Sequence, residues 1–280
     1  MPVMSAACQD CGYPVPLDWE RCPHCARPGL FSNVRMAELP EEVAALGTRY
    51  QAAVEAAEAR GCAGQVHHFE ELAADSRAVI NRSALEACRL ASSDRELQST
   101  FYNLLEAEVR LPAGDKWDRL RRIADEALFG RLKNRIRFAA LTLDGVGLLH
   151  YGDCSLVLRE DMIAHRASVF EDNSALFLSR HKYETPPGSR SVWRDRAKLC
   201  IAKLADSLTP STLENELPRL LLSDGATSGE DSFVEVHIWG SLSIYSLERG
   251  IVRDTPASRP YLLGLQELFA KAGLPLEVLR

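Results

Sequence analysis

Four of the eight cysteines lie within the first 25 residues, in two pairs with two residues inside each pair. The pairs are Cys8 with Cys11 and Cys22 with Cys25. This spacing lets both thiolates of a pair reach one ion, and a second pair completes the tetrahedron that Zn²⁺ prefers, with Zn–S distances of about 2.3 Å. A disulfide framework would instead distribute its cysteines throughout a short secreted chain. The four cysteines therefore predict a metal site in a reducing compartment, with zinc favoured over a mononuclear iron on the same thiolates.

The metal-binding segment, residues 6–30, resembles the short zinc-ribbon modules at the N-termini of many bacterial proteins. The resemblance rests on two knuckles, Cys8-Gln9-Asp10-Cys11-Gly12 and Cys22-Pro23-His24-Cys25. His24 lies inside the second knuckle, where the backbone faces the metal, so we interpret it as a non-ligand. A module this short cannot bury a core, and metal binding should supply much of its folding free energy. The resemblance implies a protein or nucleic-acid target that is bound through the ribbon.

A late strand carries the second candidate site. In the run from Phe233 to Trp239, alternation places the apolar residues Val234, Val236 and Ile238 on one face. Glu235 and His237 share the other face with the two flanking aromatic residues. An acid and an imidazole opposite an apolar face indicate either a strand that lines a cleft or a sheet with one solvent-exposed face, and the pattern leaves both interpretations open.

The order of sequence motifs over about residues 130–245 is similar to that of a known protein family. A strand that ends in Thr142 is followed by Tyr151-Gly152-Asp153-Cys154, then by Arg166-Ala167-Ser168, and last by a strand that runs from Glu235 to Gly240. This order resembles ADP-ribosyltransferase-like toxin domains, and in particular a poorly characterised bacterial family. The resemblance implies an NAD-dependent ADP-ribosyltransferase or NAD glycohydrolase, acting as a toxin or defence effector.

The same resemblance implies roles for individual residues. NAD would bind in a cleft between two β-sheets, and Glu235 would stabilise the oxocarbenium-like transition state. His237 and Thr142 join it as catalytic candidates, although the family usually has serine at the position of Thr142. Arg77 and Tyr151 are the candidate cofactor-binding residues. His67 and His68 are alternatives to Arg77.

The predicted elements define an α+β protein in three parts: a zinc ribbon over residues 1–34, a helical spacer over 35–61, and a mixed α/β domain with a split antiparallel or mixed sheet over 62–280. Apolar periodicity predicts the helices, and alternation predicts the strands. The predicted helices are 38–60, one that starts at Ser93, one after Asp115, 192–208 and 262–272. The predicted strands are 136–143, 155–158, 167–170, 233–239 and 276–279.

Composition limits the class of protein. The chain has 280 residues, 33 Lys and Arg against 39 Asp and Glu, and a formal net charge of -6. A hydrophobic fraction of 46% argues against disorder. No apolar stretch approaches the ~20 residues that cross a bilayer, and the first residues do not form a signal peptide, so we expect a cytoplasmic protein without a membrane partner.

Charge and motif content leave two classes of function. The net acidic charge argues against nonspecific coating of nucleic acid. The seven basic residues from Arg119 to Arg137 predict a solvated helix face, with a nucleic-acid patch as the alternative. Nucleotide-binding, dinucleotide-binding, zincin and hydrolase signatures are absent. The alternative to the NAD-dependent enzyme is a non-enzymatic, zinc-dependent module that binds nucleic acid or protein.

Overall fold

The computed structural model of the chain describes residues 5–8, 10–17, 19–29, 31–93 and 116–280. It contains a large mixed sheet, two small antiparallel sheets and helices on both faces of the large sheet, which confirms the predicted α+β class. The described strands, β1 to β12, are Ser5–Ala7, Pro14–Pro16, Arg77–Arg82, Ile136–Thr142, Cys154–Leu158, Ala167–Phe170, Arg190–Val192, Leu222–Ser223, Ser232–Phe233, Glu235–Trp239, Leu247–Arg253 and Leu276–Leu279. The described α-helices, α1 to α10, are Ser32–Ala37, Pro40–Ala59, Ala63–Ala74, Ala84–Ala91, Lys116–Phe129, Glu160–Ile163, Ser174–Arg180, Arg196–Leu204, Leu217–Leu221 and Leu262–Lys271.

The large sheet has eight strands in the order β12-β11-β5-β3-β4-β10-β6-β7. Every pair is antiparallel except β11 with β12, which is parallel. Strand β10 lies inside the sheet, with Glu235 opposite Ala140 of β4 and Phe170 of β6. The strand that carries the candidate carboxylate therefore has a neighbour on each side, which fixes its register.

One face of the sheet forms the main hydrophobic core. Val234, Val236 and Ile238 are fully buried in it, which confirms the alternation predicted for this strand. Helices α2, α3, α4, α8 and α10 cover this face. Among its largest fully buried side chains are Phe69, Leu141, Leu158, Leu199, Ile201 and Phe269.

The opposite face, which carries Glu235 and His237, is covered as well. Helices α5 and α7 pack against each other over this face, and their side chains form a second apolar cluster with Ile136 and Phe170 of the sheet. Glu235 and His237 are each only 3% exposed. The face is therefore neither solvent-exposed nor an open cleft at these two residues.

Residues on both sides of the expected ribbon boundary contact the α/β part. Asn33 of α1 donates a hydrogen bond from Nδ2 to the carbonyl oxygen of His237, at 2.8 Å. Arg35, also on α1, donates to the carbonyl oxygens of Leu17 and Trp19 in the ribbon. Helix α2 packs against α8, and its Leu46 lies in the main core. The division of the chain at residues 34 and 61 stays a prediction.

Several predicted elements are present at their expected places, some with shifted ends. Strand 167–170 and strand 276–279 are confirmed with their predicted ends, and helix 38–60 is confirmed as Pro40–Ala59. The helix expected from the capping box at Ser93 lies, beyond that residue, outside the described residues. No helix in the described ranges is long and apolar enough to span a bilayer.

The predicted strand 233–239 is two strands. Ser232–Phe233 pairs with Leu222–Ser223 in a small separate sheet, and Glu235–Trp239 joins the large sheet. The change of partner falls at Val234, whose carbonyl oxygen still accepts a hydrogen bond from the amide of Leu141. Alternation continues through the change of partner, because it reports burial on two faces and not the identity of the neighbouring strand.

Candidate functional site

The four N-terminal cysteines converge on one point. Their sulfur atoms all lie within 4.8 Å of one another. The Sγ atoms of Cys8 and Cys25 are 3.7 Å apart, and those of Cys11 and Cys22 are 3.6 Å apart. Tetrahedral zinc with Zn–S bonds of about 2.3 Å requires S···S separations of about 3.8 Å. The cluster can therefore hold one zinc ion with little movement of its side chains.

Two tight turns bring the cysteines together. Each knuckle is followed directly by a residue in the left-handed region, Gly12 at φ 70° and Ala26 at φ 58°. Each turn is also closed by a backbone hydrogen bond, from Gly12 to the carbonyl of Cys8 and from Ala26 to the carbonyl of Cys22. The strand pair β1–β2 and the isolated bridge between Arg21 and Pro28 complete the module.

The backbone around the second knuckle favours a thiolate. Desolvation would raise the pKa of Cys22, but hydrogen bonds from the backbone amides of Cys25 and His24 lower it to about 7. The sulfur atoms lie close together in two pairs, Cys8 with Cys25 and Cys11 with Cys22. Binding of a metal ion to the four sulfur atoms would release their thiol protons, since only the thiolate is a metal ligand.

A cavity of about 420 Å³ lies beside the group of four cysteines. It is bounded by the ribbon on one side and by Arg35, Glu38 and Pro40 on the other. Cys8 and Cys22 line it, whereas Glu235 and Tyr151 do not. The cavity therefore belongs to the ribbon region and not to the β10 site.

The carboxylate of Glu235 is buried and fully engaged. Its Oε1 accepts a hydrogen bond from Nη1 of Arg121 at 2.9 Å. Its Oε2 accepts from the backbone amide of Ser174 at 2.9 Å and from Nε2 of His237 at 3.2 Å. The Nε of Arg121 lies 3.2 Å from Oδ1 of Asp125, so one guanidinium joins two carboxylates.

These contacts decide the protonation of Glu235. Burial alone would raise the pKa of the carboxyl group, because it disfavours the charged form. The charge of Arg121 and the hydrogen bonds from His237 and Ser174 outweigh burial and lower the pKa to about 2. Glu235 is therefore ionised throughout the neutral range, inside a covered part of the protein.

Aromatic rings hold the rest of this cluster in place. The ring of His237 makes edge contacts with Phe129 and Phe138, at centroid distances of 5.0 and 5.3 Å, and stacks on Phe170 at 5.7 Å. The guanidinium of Arg121 lies 3.5 Å above the centre of the Phe138 ring. The imidazole and the guanidinium that contact Glu235 are thus both fixed by packing.

Tyr151 lies at the exposed rim of the same cluster. Its side chain is 45% exposed, and its ring contacts Phe233 edge to face. Partial burial and the carboxylates of Glu235 and Asp231 raise the pKa of Tyr151 to about 12. The charge of Glu235 therefore reaches the phenol of Tyr151, and the role of Tyr151 in cofactor binding stays a prediction.

Thr142 and Arg77 have other partners. Arg77 of β3 lies opposite Thr142 of β4 in the sheet. The hydroxyl of Thr142 donates a hydrogen bond to Oδ1 of Asp144 in the following turn, at 2.9 Å. The guanidinium of Arg77 contacts the carboxylates of Glu160 and Glu248, at 3.6 and 3.3 Å. Among the contacts of the described residues, none joins Thr142 or Arg77 to Glu235. Their functional roles stay predictions.

The alternatives to Arg77 lie on a helix surface. His67 and His68 are exposed residues of α3, and their imidazoles lie near the carboxylates of Glu71 and Glu214. Sequence reasoning misses Arg121 as a member of this cluster, because the basic residues from Arg119 to Arg137 predict a solvated helix face. Its spacing of four residues from Asp125 is a local signal for an ion pair. The connection to Glu235 is 114 residues distant and has no local signal.

Comparisons with known proteins add no assignment. A scan against protein-family models finds no match to this chain, and a search of curated proteins finds no similar sequence.

Proposed function

We propose that this protein binds zinc through its ribbon and cleaves NAD in its α/β part, as an ADP-ribosyltransferase or NAD glycohydrolase. The observation that carries the proposal is the buried carboxylate of Glu235, whose pKa is lowered by its contacts with Arg121, His237 and the amide of Ser174. The order of sequence motifs that resembles ADP-ribosyltransferase-like domains supports the same class. The ribbon would bring this part of the protein to a target.

The proposed reaction needs a fixed negative charge. The bond between the nicotinamide nitrogen and ribose C1 breaks, its electron pair leaves with nicotinamide, and positive charge develops on the ribose. In hydrolysis the oxygen of water then bonds to C1 and a proton is released; in transfer, an acceptor group takes the place of water. A preorganised carboxylate stabilises the developing charge, and Glu235 would supply it.

Access to the carboxylate would run through Arg121. Its side chain is 21% exposed, whereas those of Glu235 and His237 are 3% and 4% exposed. The guanidinium is already shared with Asp125, so a shift toward that residue would free Oε1 of Glu235. His237 would then act as a positioning residue that holds Oε2. The exposed ring of Tyr151 would stack on the nicotinamide or adenine ring.

The test is the release of nicotinamide from NAD by zinc-loaded protein, with products separated by chromatography. Wild-type protein should release nicotinamide, and Glu235→Gln should reduce the rate at least about 100-fold, the loss typical for removal of one electrostatic group. Glu277→Gln, on the exposed face of β12, is the matched control and should keep the wild-type rate. Circular dichroism must show that each variant is folded.

A charge-retaining variant separates chemistry from folding. Glu235→Asp keeps the negative charge beside Arg121 but withdraws it by one methylene, so it should fold and release nicotinamide slowly. If Glu235→Asp and Glu235→Gln both fold and both keep the wild-type rate, Glu235 is not the catalytic carboxylate. If wild-type protein releases no nicotinamide with or without candidate acceptors, the proposal is wrong.

The surface of the ribbon favours a second candidate function, the binding of single-stranded nucleic acid. Tyr13 and Trp19 are 43% and 42% exposed, and the ring of Tyr13 stacks on His24 at 5.4 Å with an interplanar angle of 8°. Exposed aromatic rings are the platforms on which unpaired bases stack. A gel-shift assay with single-stranded RNA should show binding that Trp19→Ala weakens. Binding that is unchanged in that variant would contradict the assignment.

A further inference from the structure

A second group of metal-ligand side chains lies next to Tyr151. His150, Asp224 and Asp231 each offer one ligand atom, and these atoms lie within 4.8 Å of one another. His150 belongs to the short helical turn Leu149–Tyr151, whereas the two aspartates lie in the connection between β8 and β9. The group is separate from the four cysteines and joins two loops at the rim of the large sheet.

Hydrogen bonds from the backbone orient both carboxylates. The amide of Leu149 donates to Oδ1 of Asp224 at 2.7 Å, and the amide of Gly225 donates to Oδ1 of Asp231 at 2.9 Å. The Nδ1 of His150 lies 2.9 Å from the same oxygen of Asp231. Both carboxylates therefore belong to the connection between β8 and β9 and face the turn that carries His150, before any ligand is considered.

Asp231 gives an independent indication of a ligand. Its side chain is fully buried, and among the described residues its Oδ2 has no hydrogen-bond partner. A buried carboxylate oxygen without a partner costs free energy, because the lost hydration is not replaced. A cation at this point would supply the missing partner and would balance the buried charge.

We propose that His150, Asp224 and Asp231 form a binding site for a divalent transition-metal ion of the Mn²⁺ class. Carboxylates suit Mg²⁺, Ca²⁺ and Mn²⁺, and imidazole suits the transition metals, so the mixed set fits a divalent transition-metal ion, and Mn²⁺ is the probe for it. His150 and Asp224 lie at the surface, which leaves the outer positions of the ion to water.

The geometry is close to what such an ion needs. An octahedral ion with bonds of about 2.1 Å places neighbouring ligands about 3 Å apart. Separations within 4.8 Å therefore require side-chain shifts of about 1 to 2 Å, which the exposed His150 and Asp224 can make. The ion would fix the connection between β8 and β9 against the turn that carries Tyr151. This inference does not depend on NAD cleavage.

The test is a titration with Mn²⁺ of full-length protein that carries one equivalent of zinc and is freed of excess zinc, followed by the electron paramagnetic resonance signal of the free ion. The thiolates of the ribbon already hold zinc and are soft ligands, so they do not compete for Mn²⁺. We expect about one Mn²⁺ per chain and at least a tenfold weaker affinity in Asp231→Asn, since even outer partners of a ligand change affinity 10–100-fold.

A neighbouring acid gives the matched control. Glu230 lies in the same connection and accepts a hydrogen bond from the amide of Ala226, but it is not a member of the group. Glu230→Gln should therefore bind Mn²⁺ like the wild type. His150→Gln removes one ligand at a partly exposed position, which keeps the test available if Asp231→Asn does not fold.

Three results would overturn the proposal. The first is that the wild type binds no Mn²⁺ at 1 mM, a concentration at about the weak end of the dissociation constants of extracellular calcium modules. The second is that the Asp231→Asn and His150→Gln variants both bind Mn²⁺ like the wild type. The third is that Glu230→Gln weakens Mn²⁺ binding as much as those two variants do. The first result would leave His150 and Asp231 as a hydrogen-bonded pair. As a second readout, Mn²⁺ should slow amide exchange at residues 224–231 in the wild type and not in His150→Gln.

Discussion

Replacing Glu235 by glutamine should destabilise the protein at neutral pH by about 3 kcal/mol. The carboxyl pKa is lowered from 4.5 to about 2 in the folded protein. Each pKa unit corresponds to about 1.36 kcal/mol, so a shift of about 2.5 units gives roughly 3 kcal/mol. The same range is typical for breaking a buried ion pair, because the guanidinium of Arg121 would lose one of its two carboxylates.

The pH dependence of this loss has a definite direction. Because the pKa of Glu235 is lower in the folded than in the unfolded chain, the unfolded chain binds more protons at acid pH. The stabilisation is therefore complete above about pH 4.5 and is lost as the pH falls through about 2. The difference between wild type and Glu235→Gln should shrink over the same window.

Urea unfolding followed by circular dichroism, at pH 7, 5, 4 and 3, measures this difference. Glu277→Gln, at an exposed position, should stay within about 0.5 kcal/mol of the wild type at every pH. A loss below about 1 kcal/mol for Glu235→Gln at pH 7, or a loss that does not change between pH 7 and 3, would refute the buried ionised carboxylate.

Three further predictions concern the zinc site, the backbone contact at Gly152 and the main core. Purified protein should carry about one zinc per chain by elemental analysis, and Cys8→Ser with Cys11→Ser should abolish it; less than about 0.3 equivalents in protein never exposed to a chelator would contradict the ribbon. Gly152→Ala should lower the free energy of unfolding by about 2 kcal/mol or more, since the φ of Gly152 is 135° and a Cβ there would lie 2.2 Å from the backbone carbon of Arg82. An unchanged melting temperature would contradict the close contact between Gly152 and the backbone of Arg82. Leu141→Ala, in the middle of the main core, should cost about 2 to 5 kcal/mol in urea unfolding, and a cost below 1 kcal/mol would show that the site is not packed as described.

Local patterns predicted those elements whose identity is decided within a few residues. Strand 167–170 is a short β-rich run, and α2 begins at Pro40 and ends just before Gly61. The order of strands in the large sheet was not predictable in this way. Strand β3 lies between β4 and β5, although α4 and α5 separate it from them along the chain. Such pairings depend on which apolar faces meet, and that is a property of the whole chain.

The two candidate sites differ in how far the sequence predicts them, because one is local in sequence and the other is not. The cysteine cluster was predictable because all its ligands lie in one short segment and their spacing alone brings them to one ion. The environment of Glu235 is assembled from α5, α7 and β10, which are distant in sequence. Alternation could place Glu235 and His237 on one face, but it could not show that Arg121 and two helices cover that face.

The most direct test of this account is NAD incubated with zinc-loaded protein at pH 7, with free nicotinamide followed by proton NMR. The account predicts nicotinamide and either ADP-ribose or an ADP-ribosylated acceptor from the wild type, and at least about a 100-fold slower release from folded Glu235→Gln. Equal release by wild type and folded Glu235→Gln, or no release by the wild type, would contradict the proposed role of Glu235.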